Sequence, residues 1–270
     1  MRLPIFQLDA FAERLFSGNP AAVCPLDSWL TDELMQAIAA ENNLSETAFF
    51  VPHGHTDEFE LRWFTPTAEV DLCGHATLAS GVVVLENRRP DLQVARFRTR
   101  SGPLEVRRGG RGWELDLPRE DPQPWETPAG LAEALGAAPI EAVRGADYGL
   151  ALLPNEDVLH ALEPKMERIA RLDPIGVIAT APTDLPGIDF LSRFFAPRVG
   201  VPEDPVTGSA HCLLTTFWAD KLGRSTLEAR QVSKRGGAIT CTLQEQHVRL
   251  SGAVTPYLEG WIEIPEAPRF

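Results

Sequence analysis

The sequence predicts an α+β chain folded as two similar lobes. Strand-like stretches with period-two alternation fill most of it, interrupted by single helices. A short string of residues recurs in the second half at a nearly constant offset. The chain's 270 residues, 44% of them hydrophobic, suffice for two cores of ordinary size.

In the recurring string, Arg62, Trp63, Phe64, Thr65 and Pro66 match Arg193, Phe194, Phe195, Ala196 and Pro197 at an offset of 131. Gly74, His75 and Ala76 then match Gly208, Ser209 and Ala210 at an offset of 134, the three extra residues fitting a longer loop in the second copy. Each copy reads as a strand, a Pro-containing loop, and a Gly that opens a buried helix. Duplication of this unit predicts two lobes meeting across a pseudo-twofold axis.

The elements follow in order. Residues 1–10 alternate Phe6 and Leu8 with Gln7 and Asp9, as a strand does. Thr31 is placed to cap a helix that carries Asp32 and Glu33 in its first turn and Leu34 and Ile38 on one face, ending at Asn42 and Asn43. Phe59, Leu61 and Trp63 alternate again, and the uncharged run 76–84 predicts a helix buried on all sides. Trp113, Leu115 and Leu117 mark a further strand. Residues 118–128 hold four prolines and three acidic residues, a composition for a surface crossover, which puts the lobes at 1–118 and 119–270. A last strand is allowed to cross back to the first lobe. Beyond the crossover the pattern restarts: a helix near 129–135, strands near Ile140 and Leu150, a strand ending at Phe195, a helix over 209–222, and strands near Ala238, Val248 and Trp261. The basic stretch around Lys234 and Arg235 reads as a hairpin turn.

A formal net charge of −13 argues against nucleic-acid or anionic-membrane partners, which need a basic field. No apolar stretch reaches the roughly 18 residues that span a bilayer, and the N-terminal residues lack the blocks of a signal peptide. Cys24, Cys73, Cys212 and Cys241 are scattered without CxxC spacing, so neither a zinc site nor a disulfide framework is suggested. The expectation is a cytoplasmic protein.

A Gly at a loop-to-helix junction lets a ligand approach the backbone, and the first helical N–H groups carry partial positive charge suited to a carboxylate. Gly74 and Gly208, with Ser209, are therefore the candidate binding residues for a small acidic substrate. Glu46, His75 and Asp204 are the acid–base candidates near these ends. His75 titrates near neutrality, with the helix start expected to favour its neutral form; a carboxylate walled by apolar groups suits a proton shuttle. Spacing alone leaves plainer readings open: Glu46 as a strand-edge residue or cap, His75 as a helix-start residue bonded to a carbonyl, Asp204 as a turn residue or N-cap, Ser209 as the cap of its own helix. Cys73, His211 and Cys212 read as packing.

The strings Gly18 to Val23, Ser45 to Phe49, Asp71 to Ser80 and Asp204 to Ala210 resemble, in order, the signature segments of the PhzF-like phenazine biosynthesis family. The resemblance runs from about Phe6 to Trp261. It implies the diaminopimelate epimerase-like fold, in which each lobe wraps a curved sheet around a central helix. It also implies a homodimer, no cofactor or metal, and isomerisation of a substrate such as trans-2,3-dihydro-3-hydroxyanthranilate. By motif it assigns the proton-transferring glutamate to Glu46, with His75, Asp204 and Ser209 beside it.

Two rivals remain. A two-thiol amino-acid racemase of the same fold needs a cysteine in each copy, and Cys73 is matched by Thr207. A non-catalytic binder of small acids would not need Glu46, His75 and Asp204 together.

Overall fold

The computed structural model describes residues 1–265. Two compact units emerge: Met1–Phe16, Pro20–Leu115 and the segment from Ala253 onward form the first, and Ser17–Asn19 with Asp116–Gly252 form the second.

The chain enters through β1 (Arg2–Ala10), β2 (Asn19–Pro25), α1 (Asp32–Asn42), β3 (Glu46–Pro52), β4 (Glu58–Phe64) and the two-residue β5 (Glu69–Val70). It continues through α2 (Gly74–Val83), β6 (Val94–Thr99), β7 (Gly102–Gly109) and β8 (Gly112–Pro118). Next come the short β9 (Gln123–Pro124), α3 (Leu131–Leu135), β10 (Glu141–Arg144), β11 (Tyr148–Leu152), α4 (Glu156–His160), α5 (Met166–Ile169), β12 (Gly176–Pro182) and β13 (Phe190–Phe195). The last elements are α6 (Gly208–Leu222), β14 (Thr226–Gln231), β15 (Gly237–Leu243), β16 (His247–Gly252) and β17 (Val254–Glu263).

Pairing repeats the duplication strand for strand. In the first unit β2 lies parallel to β3, β3 antiparallel to β4, β4 parallel to β6, and β6, β7 and β8 follow antiparallel. In the second, β11 lies parallel to β12, β12 antiparallel to β13, β13 parallel to β14, and β14, β15 and β16 follow antiparallel. The parallel step from β4 to β6 encloses α2, and that from β13 to β14 encloses α6. Each unit is thus a sheet wrapped around a buried helix, the mixed α+β fold the sequence predicts.

All ten residues of α2 are buried, as its uncharged run requires. Its buried hydroxyls turn inward on the helix itself: Thr77 donates to the Cys73 carbonyl at 2.5 Å and Ser80 to that of Ala76 at 2.7 Å. Gly81 lets α2 close on β7, where an added Cβ would sit 2.3 Å from Val106. In the second unit Trp218 of α6 stacks on Phe190 at 5.5 Å and donates to Thr180 at 3.0 Å. Leu131, Leu135, Leu159 and Ile169 of the short helices cover Val177, Leu191 and Phe195 on the other side of that sheet.

The start of α1 follows expectation, with Thr31 accepting from the Leu34 N–H. Two details differ. The register of β1 against β17 slips between Gln7 and Leu8, so Ile5 and Leu8 are buried while Phe6 is only half-buried. β14 is an additional strand whose inward face, Leu227, Ala229 and Gln231, ends in a polar residue and so carries a weak apolar pattern. Between β14 and β15 lies the expected turn, whose Arg235 holds the carbonyls of Gly18 and Ser17. No helix among the described residues is long and apolar enough to cross a membrane.

Candidate active site

Glu46 is the first residue of β3. Asn42, the last residue of α1, donates to Thr47 at 3.0 Å, and Asn43 turns the chain in the left-handed region (φ 49°) before the strand begins. This tight helix-to-strand corner fixes where the Glu46 side chain points. It meets His75, the second residue of α2, with Oε2 3.1 Å from Nε2. Both side chains are largely enclosed, at 14% and 6% exposure. The two atoms lie at ion-pair distance.

On the other edge of the His75 ring, Nδ1 lies 3.5 Å from Cys73 Sγ. The ligand atoms of Glu46, Cys73 and His75 lie within 4.8 Å of one another, close enough to raise the question of a metal. The imidazole turns Nε2 to Glu46 and Nδ1 to Cys73, and one ion could take only one of those nitrogens, so binding it would give up one of the two contacts.

Burial opposes a charge on the His75 ring; against it, the Cys73 sulfur and the Glu46 carboxylate hold the imidazole well above its ordinary value. The direction is the opposite of the one expected from the helix start, because the Cys73 and Glu46 neighbours outweigh the helix's partial charge. Burial, with the Glu46 charge added, pushes the Cys73 thiol up to about 11. Glu46 and Cys73 thus lie against the two ring nitrogens of His75.

In the second unit Asp204 is buried, and protein donors reach both of its oxygens. Asn19 Nδ2 donates to Oδ1 at 2.9 Å and Thr207 Oγ1 to Oδ2. Gln231 completes the lock, accepting from the Thr207 N–H at 2.9 Å and donating to the Asp204 carbonyl at 2.7 Å. The sequence motifs contain Asn19 and Asp204 but do not join them, and Gln231 gives no signal beyond its place at a strand end.

Both buried helices begin without a side-chain cap. Cys73 and Thr207 occupy the N-cap positions with extended backbones, and neither side chain accepts from the first turn. Thr207 is a residue type that ordinarily would, but its hydroxyl is committed to Asp204. The first-turn N–H groups at Gly74 and His75, and at Gly208 and Ser209, are what an anion could engage. Ser209 does not cap its own helix. Its Oγ lies 3.0 Å from Tyr148 Oη, a residue the sequence did not single out.

Register shows what Tyr148 replaces. Phe64 and Phe195 match in the repeat; they lie opposite Thr47 and Val177, so Glu46 corresponds to Gly176. Their parallel neighbours are Ala21 and Tyr148. A Cβ at Gly176 would lie 2.5 Å from the Phe194 ring, so the second copy has no room for a carboxylate there. Glu46 beside His75 in one copy becomes Tyr148 beside Ser209 in the other. With Thr207 where a second thiol would stand, a symmetric two-thiol mechanism lacks half its groups.

A family model described as phenazine biosynthesis-like protein matches residues 8–260. An uncharacterised isomerase of Pseudomonas aeruginosa is 49% identical over 264 residues, covering 98% of this chain and all of that protein. The crystal structure of a PhzF-family phenazine biosynthesis protein from Enterococcus faecalis aligns with a TM-score of 0.92 at 41% identity, covering 98% of this chain and all of that one. A hydroxyproline epimerase from Agrobacterium vitis aligns over 97% of this chain and 92% of its own at a TM-score of 0.63 and 11% identity, a likeness of fold alone. With its duplicated sheets and buried helices, the chain belongs to the phenazine biosynthesis-like PhzF family and is an isomerase.

Proposed function

We propose that this isomerase moves a proton on a small cyclic or amino carboxylate without a cofactor, with Glu46 as the group that carries it. The contact between Glu46 and His75 carries the reading. The Glu46 carboxylate takes a proton from a carbon beside a conjugated system, the electron pair of that C–H bond shifts the double bond, and Glu46 returns the proton to a different carbon. Nothing else is gained or lost. His75 keeps its own proton, balances charge at Glu46 and orients a substrate amine or hydroxyl. The Gly74, Gly208 and Ser209 N–H groups and the Ser209 hydroxyl bind the carboxylate, and Asp204 holds the Thr207–Ser209 segment in place for it. A compound resembling trans-2,3-dihydro-3-hydroxyanthranilate fits these roles.

The test is Glu46→Gln with that compound in heavy water. Wild-type protein is expected to isomerise it and the variant to lose at least about 100-fold in rate, the scale of a lost general base; undiminished turnover in the variant would falsify the assignment. The same reading carries a homodimer, supported by the exposed apolar residues Tyr257, Leu258 and Trp261 on β17. A single-subunit mass in sedimentation counts against it. The cytoplasm is the compartment we assign, where the four buried thiols stay reduced.

A further inference from the structure

We propose that Tyr148 is a positioning residue for substrate: it donates to Ser209 Oγ and so leaves the Ser209 hydroxyl hydrogen to be given to a carboxylate. The inference rests on the reading that Ser209 binds that carboxylate.

Tyr148 opens β11, and its ring is held edge-on by Phe194 at 4.9 Å, so the phenol oxygen has little freedom. Oη lies 3.0 Å from Ser209 Oγ, and either oxygen can act as donor at that distance. Chemistry decides the direction. A phenol is the stronger donor and an aliphatic hydroxyl the stronger acceptor, because the phenol's lone pair is drawn into its ring. Burial pushes the Tyr148 pKa up to about 12, which keeps the proton on the phenol throughout the neutral range.

Once Ser209 accepts from Tyr148, its own hydrogen points elsewhere, and accepting makes it a better donor. Ser209 then offers a hydroxyl donor next to its backbone N–H at the uncapped start of α6. Such a group favours an acceptor such as a carboxylate and rejects an ammonium. In the first copy Glu46 lies beside His75, the counterpart of Ser209, while the counterpart of Tyr148 is Ala21. In the second the space of that carboxylate has gone to Phe194, and two hydroxyls do the holding.

The test is a double-mutant cycle on the full chain, read by calorimetry with 2-aminobenzoate as probe and aniline as the carboxylate-free control. Wild-type protein is expected to bind 2-aminobenzoate and not aniline. Tyr148→Phe and Ser209→Ala should each weaken binding about tenfold, the scale of one hydrogen bond, and the double variant no more than Ser209→Ala alone. Penalties that multiply to about 100-fold, an unaffected Tyr148→Phe, or a wild type indifferent to the carboxylate each overturn the proposal. A second readout leaves Tyr148 unchanged. The chain has only two tyrosines, so the Cζ resonance of Tyr148 is easily found in protein labelled at that carbon. Ser209→Ala should move it, and an unmoved resonance also counts against the proposal. The probe is aromatic and is bound without being turned over, so a failure of the proton-transfer chemistry leaves this binding result standing on its own.

Discussion

Arg193 grips Glu203 through two parallel hydrogen bonds of 2.7 and 3.1 Å, in the loop that leads to α6. The first unit repeats the pair as Arg62 and Glu69, at 2.7 and 2.8 Å, in the loop that leads to α2. Each glutamate stands five residues before the helix-opening glycine, and each guanidinium lies about 5 Å from an aromatic ring of its own strand, Phe64 or Phe195. The clamp fixes the path of the chain into the helix whose start carries candidate site residues. A lysine keeps the charge but loses the planar fork, so Arg193→Lys should destabilise the protein by about 2 kcal/mol and Arg62→Lys by a similar amount. Urea unfolding of the two variants checks this, and a change within error of zero for both would show the clamp to be ornamental.

Gly176→Ala should cost about 2 kcal/mol, because its methyl falls 2.5 Å from the Phe194 ring in a packed sheet. Gly81→Ala, 2.3 Å from Val106, should behave alike. Gly110→Ala, with nothing within 4 Å, is the control and should leave the melting temperature where it is or raise it slightly.

His211 is buried in α6, where Nδ1–H donates to the Thr207 carbonyl at 2.7 Å. Burial drives its pKa down from 6.5 to about 4. The unfolded chain therefore takes up a proton at higher pH than the folded one, and stability falls as pH drops from 6.5 to about 4, by about 3 kcal/mol in all. Below that both states are protonated and the loss stops. His211→Asn, which keeps an N–H for Thr207, should flatten this part of the stability profile; an unchanged acid slope argues against the assignment.

His75 shifts the other way. Its folded pKa is raised, so its contribution to stability is fully present below its unfolded pKa near 6.5 and disappears as pH rises through the higher folded value. The stability difference between wild type and His75→Gln should therefore shrink on the alkaline side. In nitrogen-resolved NMR the ring should carry both protons at pH 7. A neutral imidazole there would remove the imidazolium from the proposed mechanism.

Much of this architecture was legible in the sequence because duplication leaves marks that survive drift. The Arg-aromatic-Phe string, the helix-opening glycines and the uncharged run of α2 all answer to backbone geometry and burial. Even Glu69 and Glu203, which the sequence reading passed over, share the offset of the glycines and could have been found. What could not be read is what register decides. Nothing along the chain says that Gly176 stands where Glu46 does, or that Tyr148 meets Ser209 across 61 residues. The direction of the His75 shift is likewise hidden, because its helix is visible in sequence while its contacts with Cys73 and Glu46 are not.

The pairing of β1 with β17 sets an order of assembly. Arg2 faces Glu263 and Ala10 faces Val254, so the opening strand of the first unit meets its antiparallel partner only after the whole second unit has been strung between them. During synthesis residues 116–252 are all available, together with the already emerged 17–19, before β17 leaves the ribosome. The second unit can close while β1 still waits with an open edge. The unit that carries Glu46 is thus the later to mature, and the pairing that completes it joins strands more than 240 residues apart, a topology that favours slow, late folding.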